Sequence, residues 1–549
     1  MKNHSTLTPF FFLFFIFHHI TVDTSTPPYI AVDNINLDCG SFGNSKATDE
    51  RDWIGDIGSK YGPIEENNKS NSSKAPRQAS VESIPYSTAR LSYSQFTYVF
   101  PVTPGPKFVR LYFYSVAYSG FTKSKDFFTV KAGSFTLLRN FSASIHTEKY
   151  FVREFCINVE KNKKLNLTFI PFTSGSISYY AFINGIEVVS MPMDYMYYTS
   201  SSSIIEGKVP VYVGQAPQFY VNYSMALEMV YRLNIGGSSI LPVQDTGMFR
   251  EWSEARTHDY LLSDGANPRD PSLKLKYSKI PKYIAPDTVY QSAASMGPNR
   301  TRNSMSNLTW GLPVETGFNY LVRLHFCEIE PGIHVSGTRE FTIYIDYQLA
   351  EETADVILWA DDNDTPYYKD YVVMIQNKGE DSHTLAIDLH PRTDATLRDA
   401  ILNGVEVFKL SDLSGNLAGL NMVPPPMDQQ PALAANKSNT KKTRFIAIGS
   451  SVGFLVVAAL VCFMVLCKLK KTECYGSYHP LAKWWCWSRP DPYKREFSRR
   501  TASSLPGELC RYFSLNEIKT ATNNFNEDLI VGVGGFGNVY KGLLEEGNE

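Results

Sequence analysis

The sequence predicts a mainly β protein, in which two β-sandwiches in tandem precede one membrane-spanning helix and a short glycine-rich segment. Three observations support this prediction. Of the 549 residues, 13% are aromatic and only 20% are charged; several segments recur later in the chain in the same order; and one long apolar run follows the repeats. That composition suits large buried β cores better than a disordered or coiled chain. The formal net charge of −2 points away from a nucleic-acid partner.

The first element is a secretion signal. One lysine precedes an apolar block from Phe10 to Phe17, which is too short to span a bilayer and is typical of the core of a signal peptide. We assign residues 1–26 to this signal and expect cleavage between His19 and Thr26. The residues that follow are therefore expected to be extracellular.

Internal repeats indicate that the next region is a duplicated domain. The segment "FINGIEVVSMP" at 182–192 returns as "ILNGVEVFKLS" at 401–411, and "FVRLYF" at 108–113 returns as "LVRLHF" at 321–326. Unrelated similarities rarely keep their order along a chain. We therefore expect two copies of one domain, with extra loop residues in the second copy.

A third, fainter echo marks the start of each copy. "INLDCGS" begins at Ile35, and "LNIGGSS" begins at Leu233. We assign the first copy to residues 27–200 and the second copy to residues 205–412. Segments such as "KFVRLYFYSVAY" and "EFTIYIDYQLA" are rich in β-branched and aromatic residues, and Gly, Pro, Asn and Asp interrupt them about every ten residues. Since no amphipathic helix interrupts the pattern, each copy is predicted to be a β-sandwich.

Two Asn-Gly pairs predict turns. Asn184-Gly185 and Asn403-Gly404 each stand between apolar runs. Both residue types tolerate positive φ, so a tight hairpin turn is expected at each pair.

The connection between the copies predicts how they are arranged. Residues 193–210 are few and rich in serine, which limits how far the copies can separate. We expect them to pack side by side, each around its own core, with a ligand cleft between them, because clefts at domain junctions are favoured binding sites.

Three cysteines precede the apolar run, in a compartment that permits disulfides. Cys39 and Cys156 belong to the first copy, and Cys327 belongs to the second. We therefore expect a disulfide between Cys39 and Cys156, with Cys327 unpaired and buried.

Sequons for asparagine-linked glycosylation occur before the apolar run and not after it, which supports an extracellular location for the repeats. The predicted acceptors in the mature chain are Asn68, Asn71, Asn140, Asn166, Asn222, Asn299, Asn307, Asn363 and Asn436.

The acidic run "DDND", which contains Asn363, lacks the glycine and the terminal glutamate of a calcium-binding loop, so a solvated loop is favoured and no metal site is expected.

The apolar run at 445–467 carries no charge and, at about 1.5 Å per residue, is long enough to span a bilayer as a helix. Residues 413–444, rich in Pro, Asn and Ala, form the expected extracellular stalk, and the basic segment 468–511 is the expected cytoplasmic juxtamembrane region. We therefore expect a single-pass protein with its amino terminus outside. Gly449 and Gly453 match the spacing of a helix-dimer motif, which makes a dimer one alternative.

The last motif is a glycine-rich loop. Gly532, Gly534, Gly537 and Val539 fit the pattern GxGxxGxV, in which glycines let the backbone lie over nucleotide phosphates. A dinucleotide-binding site would need a helix after the loop, whereas "NVYKGLL" has the character of a strand. The pattern therefore favours the hairpin of a protein-kinase lobe, which we assign to residues 512–549.

Taken together, these motifs resemble a known family. "LDCGS", the two "NG-(I/V)-EV" segments, "LVRLHFCEIEP", "LCRYFSLNEIKTATNNF" and "GVGGFGNVYKG" are similar to the tandem malectin-like receptor kinases of plants, the FERONIA/THESEUS group. The resemblance implies jelly-roll-like β-sandwiches, a plasma-membrane location, and a Ser/Thr kinase domain that uses ATP with Mg²⁺ in the complete form. It also implies secreted cysteine-rich peptides, GPI-anchored co-receptors and cell-wall polysaccharide as extracellular partners.

The printed sequence contains no V-A-I-K, H-R-D or D-F-G motif, so we expect no catalytic residue and no kinase activity from residues 468–549. Lys541 lies too close to Gly537 to be the phosphate-pairing lysine and is expected to be a solvated strand residue. The chain is expected to be a truncated kinase, either a partial gene model or a short isoform.

Three classes of function compete. The first is a receptor that binds an extracellular ligand and, in its complete form, phosphorylates Ser or Thr. The second is a carbohydrate-binding wall anchor or decoy receptor without a kinase. The third, an extracellular enzyme, has no supporting motif in the sequence.

Overall fold

The computed structural model describes residues 28–65, 70–76, 84–161, 163–174, 177–194, 196–215, 218–255, 265–419, 515–526, 529–534 and 537–542. They belong to two compact units, one ending at Gln429 and one beginning at Gln430, and each is considered by itself. Within the described ranges, no helix is long and apolar enough to cross a membrane. The expected secretion signal and membrane helix lie outside those ranges, as does most of the expected stalk.

The first copy is almost entirely β-structure, as predicted. Its strands are β1 (Asn34–Phe42), β2 (Asn44–Lys46), β3 (Asp52–Ile57), β4 (Ile64–Glu65), β5 (Asn71–Lys74), β6 (Thr88–Ser92), β7 (Phe96–Phe100), β8 (Gly105–Tyr114), β9 (Phe128–Ala132), β10 (Phe135–Phe141), β11 (Tyr150–Val159), β12 (Leu165–Pro171), β13 (Thr173–Ser174), β14 (Ile177–Ser178), β15 (Ala181–Ile183) and β16 (Gly185–Ser190). Two short 3-10 helices span Lys123–Lys125 and Ala143–Ile145.

The second copy repeats this pattern with a few short helices. Its strands are β17 (Val211–Tyr212), β18 (Leu227–Ile235), β19 (Ser253–Ala255), β20 (Ala294–Ser295), β21 (Leu308–Glu315), β22 (Phe318–Phe326), β23 (Phe341–Ile345), β24 (Gln348–Ala354), β25 (Tyr367–Ile375), β26 (Ser382–Pro391), β27 (Ile401–Leu402) and β28 (Gly404–Leu410). The helices from the connection onward are α1 (Ser201–Ile205), a 3-10 helix (Pro242–Gln244), α2 (Asp287–Tyr290), α3 (Arg300–Asn303) and α4 (Val356–Ala360).

A twelve-stranded sheet joins the two copies. Its order is β17-β25-β22-β28-β18-β11-β8-β16-β1-β3-β2, and β19 pairs with β18. At the junction, β11 of the first copy runs antiparallel to β18 of the second, with Phe155 opposite Glu228 and Cys156 opposite Leu227. Because each copy covers an edge strand of the other, neither presents an unpaired edge at the junction. The copies therefore lie side by side, as predicted, but as parts of one continuous layer.

Each copy packs its half of the large sheet against a second layer. In the first copy this layer contains the sheets β10-β9-β12-β7-β4 and β15-β6-β5, and in the second copy it contains β21-β26-β23-β24 and β20-β27. Leu111 and Tyr98 belong to one core cluster, and Leu324 and Trp310 belong to the other. Cys156 of the first copy lies in the second cluster, so the expectation of two wholly separate cores is only partly met.

The Asn-Gly pairs do not form hairpin turns, contrary to the prediction. Neither Gly185 nor Gly404 has a positive φ, and each pair lies where the chain passes from one sheet to another. A Cβ at Gly185 would lie 2.5 Å from the Pro85 ring. The glycine is therefore required by close packing and not by a turn, while the asparagine side chain bonds to neighbouring backbone.

The third sequence echo is correct in kind but displaced by two residues. The sequence motifs align Ile35 with Leu233. In the sheet, however, the glycine of each Asn-Gly pair marks equivalent positions: Gly185 pairs with Asp38, and Gly404 pairs with Asn234. The preceding residues, Leu37 and Leu233, are therefore the equivalent ones.

The second unit is described only in three short pieces. They contain the helix α5 (Leu515–Ala521) and the antiparallel strands β29 (Ile530–Gly534) and β30 (Gly537–Tyr540).

Candidate functional site

A row of buried charged side chains crosses one face of the large sheet. Six consecutive strands, β22, β28, β18, β11, β8 and β16, contribute one residue each, and the signs alternate. We call this set the charged row: Arg323, Glu406, Arg232, Glu154, Arg110 and Glu187. Asp370 extends it at one end, and Arg51 extends it at the other.

Short contacts link the members of the charged row. Arg232 donates from Nε to Glu406 at 2.7 Å and from Nη2 to Glu154 at 2.8 Å. Arg110 donates from Nε to Glu154 at 2.6 Å and from Nη1 to Glu187 at 3.3 Å. Glu154 therefore lies between two guanidinium groups, as does Glu187, which contacts Arg110 and Arg51. This arrangement offsets the cost of removing the charges from water.

The connection between the copies and the loop before β19 cover the charged row. Tyr197 donates its hydroxyl to Glu406 at 2.6 Å. Two guanidinium groups donate hydrogen bonds to backbone carbonyl oxygens: Arg323 to that of Met196 at 2.8 Å, and Arg110 to that of Met248 at 2.9 Å. The row is thereby sealed from solvent.

Burial and charge set the protonation of this region. Burial alone raises the pKa of the Glu406 carboxyl, but Arg232 and His325 outweigh it and lower that pKa. The same balance, with Arg232 and Arg110 as the cations, lowers the pKa of Glu154. Burial lowers the pKa of His325, which contacts Tyr290 at 2.9 Å and Glu406 at 3.2 Å. Paired and sealed in this way, the carboxylates do not form an open acid–base pair.

A second set of ions crosses the junction on the other side of the sheet. Arg153 of the first copy pairs with Glu228 of the second, and Lys409 contacts Glu228 and Glu315 at 2.7 Å each. The strand pair β11–β18 therefore has cross-copy ion pairs on both faces.

The same aromatic arrangement surrounds each half of the charged row. The rings of Trp53 and Tyr112 pack edge to face at 5.3 Å, and those of Trp252 and His325 do so at 5.5 Å. Sequence analysis missed the signal for this equivalence. "RDW" at 51–53 returns as "REW" at 250–252. Trp53 lies in β3, which runs parallel to β1, and Trp252 immediately precedes β19, which runs parallel to β18.

A separate cleft of about 660 Å³ lies in the second copy. Its walls come from the segment after β17, the turn between β23 and β24, the end of β25 and the start of β26. The polar lining includes Gln215, Asp346, Gln348, Gln376 and His383. This cleft lies within one copy, whereas the ligand cleft that we expected between the copies stays a prediction.

The predicted phosphate loop is a strand pair. Gly532 and Gly534 lie in β29 and Gly537 and Val539 lie in β30, with Gly534 paired with Gly537. The backbone is the hairpin that the pattern predicted, whereas the nucleotide-binding role of these residues stays a prediction. Lys541 follows β30 and is exposed.

The expected disulfide is wrong. Cys39 on β1 and Cys156 on β11 are separated in the sheet by β8 and β16. Three steps of about 4.8 Å place their backbones about 14 Å apart, and a disulfide spans at most about 7 Å between Cα atoms. Both thiols are free and buried, and Cys327 is free and buried as predicted. Burial raises the pKa of all three thiols, so the neutral form is favoured.

The acidic run forms ion pairs with lysines. Lys276 contacts Asp362 at 2.7 Å and Asp364 at 3.8 Å, and Lys279 pairs with Asp361. Across the described ranges, no group of three or more His, Cys, Asp or Glu side chains is placed to hold a metal ion.

The predicted glycosylation sites differ in exposure. Four are exposed, namely Asn71, Asn166, Asn222 and Asn299, and two are half-buried, namely Asn140 and Asn307. Asn68 and Asn436 lie outside the described residues. Asn363 is only 7% exposed, which leaves no room for a glycan, so the structure contradicts this site.

Comparison with known proteins agrees with the duplicated fold. The family model of the malectin-like domain matches residues 37–410. The receptor-like protein kinase FERONIA of Arabidopsis thaliana is 40% identical over 544 residues, which cover 95% of this chain and 60% of the relative. The receptor-like protein kinase THESEUS 1 of the same organism is 30% identical over 552 residues, 96% of this chain and 60% of the relative. The chain thus spans about 60% of the length of these curated relatives.

Solved structures give the same result. The crystal structure of the plant receptor-like kinase FER is 42% identical and covers 71% of this chain and all of its own, with a TM-score of 0.63. The structure of FER with the plant peptide RALF23 and LLG2 is 41% identical and covers 72% of this chain and all of its own, with a TM-score of 0.63. The chain therefore belongs to the malectin-like family, within the group of plant receptor-like kinases that includes FERONIA and THESEUS 1.

Proposed function

We propose that the chain is part of a single-pass receptor of the plasma membrane. Its two malectin-like copies bind an extracellular peptide together with a GPI-anchored co-receptor, and the complete protein signals by ATP-dependent phosphorylation of Ser or Thr. The relatives are named as receptor-like kinases, and a peptide and a second protein accompany FER in one solved structure. The secretion signal and the apolar run at 445–467 in the sequence support the topology.

One structural observation carries the proposal. The shared sheet and the charged row fix the two copies relative to each other across β11 and β18. A peptide that contacts both copies would meet a surface that is already ordered, so binding would not incur the entropic cost of ordering two mobile domains.

The test uses residues 28–419, which contain the whole shared sheet. Isothermal titration calorimetry with a secreted cysteine-rich peptide should show binding that tightens when the co-receptor ectodomain is added, because the two partners share a ternary interface. The same peptide after reduction and alkylation is the control. Equal affinity with and without the co-receptor would contradict a shared interface, and no binding of any native peptide would contradict the receptor function.

The second candidate is a carbohydrate-binding wall anchor or decoy receptor that lacks a kinase. The polar cleft of the second copy favours it, since the cleft is open to small hydrophilic ligands. The size of the native protein in plasma-membrane fractions separates the two candidates. A product as long as the curated relatives supports the receptor kinase, whereas a product of 549 residues supports the anchor.

A further inference from the structure

The segment that follows the last strand of the second copy crosses onto the first copy. We call residues 411–418, which come directly after β28, the exit segment. Leu417 is fully buried in the core cluster of the first copy, although the strand before the exit segment belongs to the second copy. The expected stalk, which the sequence analysis starts at residue 413, therefore begins as part of the folded first copy.

Backbone pairing adds the exit segment to the edge of a sheet. Strand β10 is the terminal strand of the sheet β10-β9-β12-β7-β4. Thr136 of β10 donates its N–H to the carbonyl oxygen of Gly415 at 3.0 Å, and Leu417 donates its N–H to the carbonyl oxygen of Thr136 at 2.9 Å. Asn416 and Thr136 form a parallel bridge. The exit segment therefore covers part of an edge whose backbone groups would otherwise be open to another chain.

A closed turn gives the exit segment its shape. Asp412 accepts hydrogen bonds through Oδ1 from the backbone N–H of Ser414 at 2.8 Å and from that of Asn416 at 2.9 Å. Gly415 has a φ of 77°, and a Cβ there would lie 3.1 Å from the Phe135 ring. The turn thus directs the chain back along β10 and brings the next residues to the core of the first copy.

The attachment of the exit segment is local, whereas the pairing inside the first sandwich is extensive. The segment is attached at one turn and one buried leucine, but β8 pairs with β11 all the way from Gly105 to Tyr114. Regions that rest on few buried contacts open at a lower free energy than the core elements of the same protein. The exit segment is therefore built to open separately from the sandwich that it covers.

We propose that the exit segment is a latch, which detaches from β10 while both sandwiches stay folded and which opens first when the chain beyond Gly419 is pulled. Opening exposes the edge of β10 at Thr136 and the core site that Leu417 fills. The latch itself does not depend on the proposed receptor function; the membrane stalk as its natural source of load does.

Native-state hydrogen exchange of residues 28–419 in increasing urea, read by mass spectrometry, tests for a separate opening. Peptides that cover residues 134–137 and 411–418 should exchange faster than the peptide that covers β8, and with a weaker dependence on urea, because opening of the latch exposes little surface. Leu417→Ala should speed the exchange of both latch peptides at least tenfold. Leu413→Ala is the matched control in the same segment, since Leu413 is fully exposed, and it should change neither peptide.

Optical tweezers test the response of the same protein to load. One handle is attached at its carboxyl end and the other at Lys163→Cys, whose natural side chain is exposed on the first copy. We expect a reversible step of roughly 25 Å before any larger unfolding step, since about eight residues become extended at about 3.4 Å each. Leu417→Ala should lower the force at which this step occurs.

The proposal is overturned if the latch peptides and the β8 peptide show the same exchange rate and urea dependence, because the exit segment would then open only when the whole protein unfolds. It is also wrong if Leu413→Ala acts like Leu417→Ala, or if no step precedes unfolding under load. Should Leu417→Ala fail to fold, the urea dependence of the natural sequence still decides. A failure to bind any peptide would count against the receptor function and would leave these results unchanged.

Discussion

Glu154 of the first copy accepts a hydrogen bond from Arg232 of the second copy at 2.8 Å, and both side chains are buried. The pair carries the charged row from one copy to the other. Arg110 and Glu406 complete the coordination on either side. Because a buried ion that loses its partner is strongly destabilised, each copy depends on the other for the charge balance of its own sheet.

Arg232→Met should therefore destabilise residues 28–419 by about 3–5 kcal/mol, since it leaves two buried carboxylates without their shared cation. Urea denaturation measures this change. The double variant Glu154→Gln/Arg232→Met should lose less stability than the sum of the single variants, which identifies direct coupling. Lys163→Met is the control, because its pair with Glu160 is exposed; its midpoint should not change. Additive single effects would contradict the coupling.

His325 predicts a specific pH dependence. Its pKa is lowered by burial, so below about pH 6.5 the unfolded chain binds a proton more readily and folding stability is lost as pH falls. Burial raises the pKa of Asp38 and of Asp126 to about 6, which acts with the opposite sign. The contribution of His325 is therefore measured as the difference in pH dependence between a His325 variant and the natural sequence.

His325→Gln retains hydrogen-bonding capacity towards Tyr290 and Glu406 but does not titrate. Between pH 7 and pH 5, the urea midpoint of this variant should fall less, or rise more, than that of the natural sequence. Identical pH profiles would show that His325 does not contribute.

Gly236 is expected to tolerate no side chain. It has a φ of 68°, and a Cβ would lie 2.0 Å from the carbonyl oxygen of Ala293. Gly236→Ala combines backbone strain with a clash against main chain, so it should cost well over about 1 kcal/mol of stability. Gly43→Ala is the matched control, with a φ of 70° and no atom within 4 Å of the new Cβ. Equal losses in the two variants would rule out the close approach as the cause.

Glycan mapping by mass spectrometry should find Asn222 modified and Asn363 unmodified in protein secreted from plant cells. Both have the sequon, but Asn222 is exposed, whereas Asn363 is buried and its side-chain oxygen lies 3.4 Å from Lys276. A glycan on Asn363 would contradict the packing of this loop.

The sequence predicted the parts of the fold that depend on local pattern. Duplication, strand content and the paired "VRL" and "NG-x-E" motifs follow from periodicity and repetition, and the structure places Arg110 and Arg323 at equivalent positions. The glycine-rich hairpin also follows from local pattern, because spacing and strand character fix it.

The errors have a common physical cause. Asn184-Gly185 has the composition of a turn, but tertiary packing places it at a sheet crossing. The disulfide between Cys39 and Cys156 was inferred from shared membership of one copy, and strand order alone could exclude it. The cleft in the second copy combines residues that are far apart in sequence, such as Gly214 and Gln348, so no local pattern indicates it.

We infer that the two copies form one cooperative body through β11, β18 and the charged row. Differential scanning calorimetry of residues 28–419 tests it most directly. We predict one unfolding transition, with a calorimetric enthalpy equal to the van't Hoff enthalpy. The reason is that the unfolding of either copy would leave buried charges in the other copy without their partners. Two resolved transitions, each with the enthalpy of about half the chain, would contradict the account.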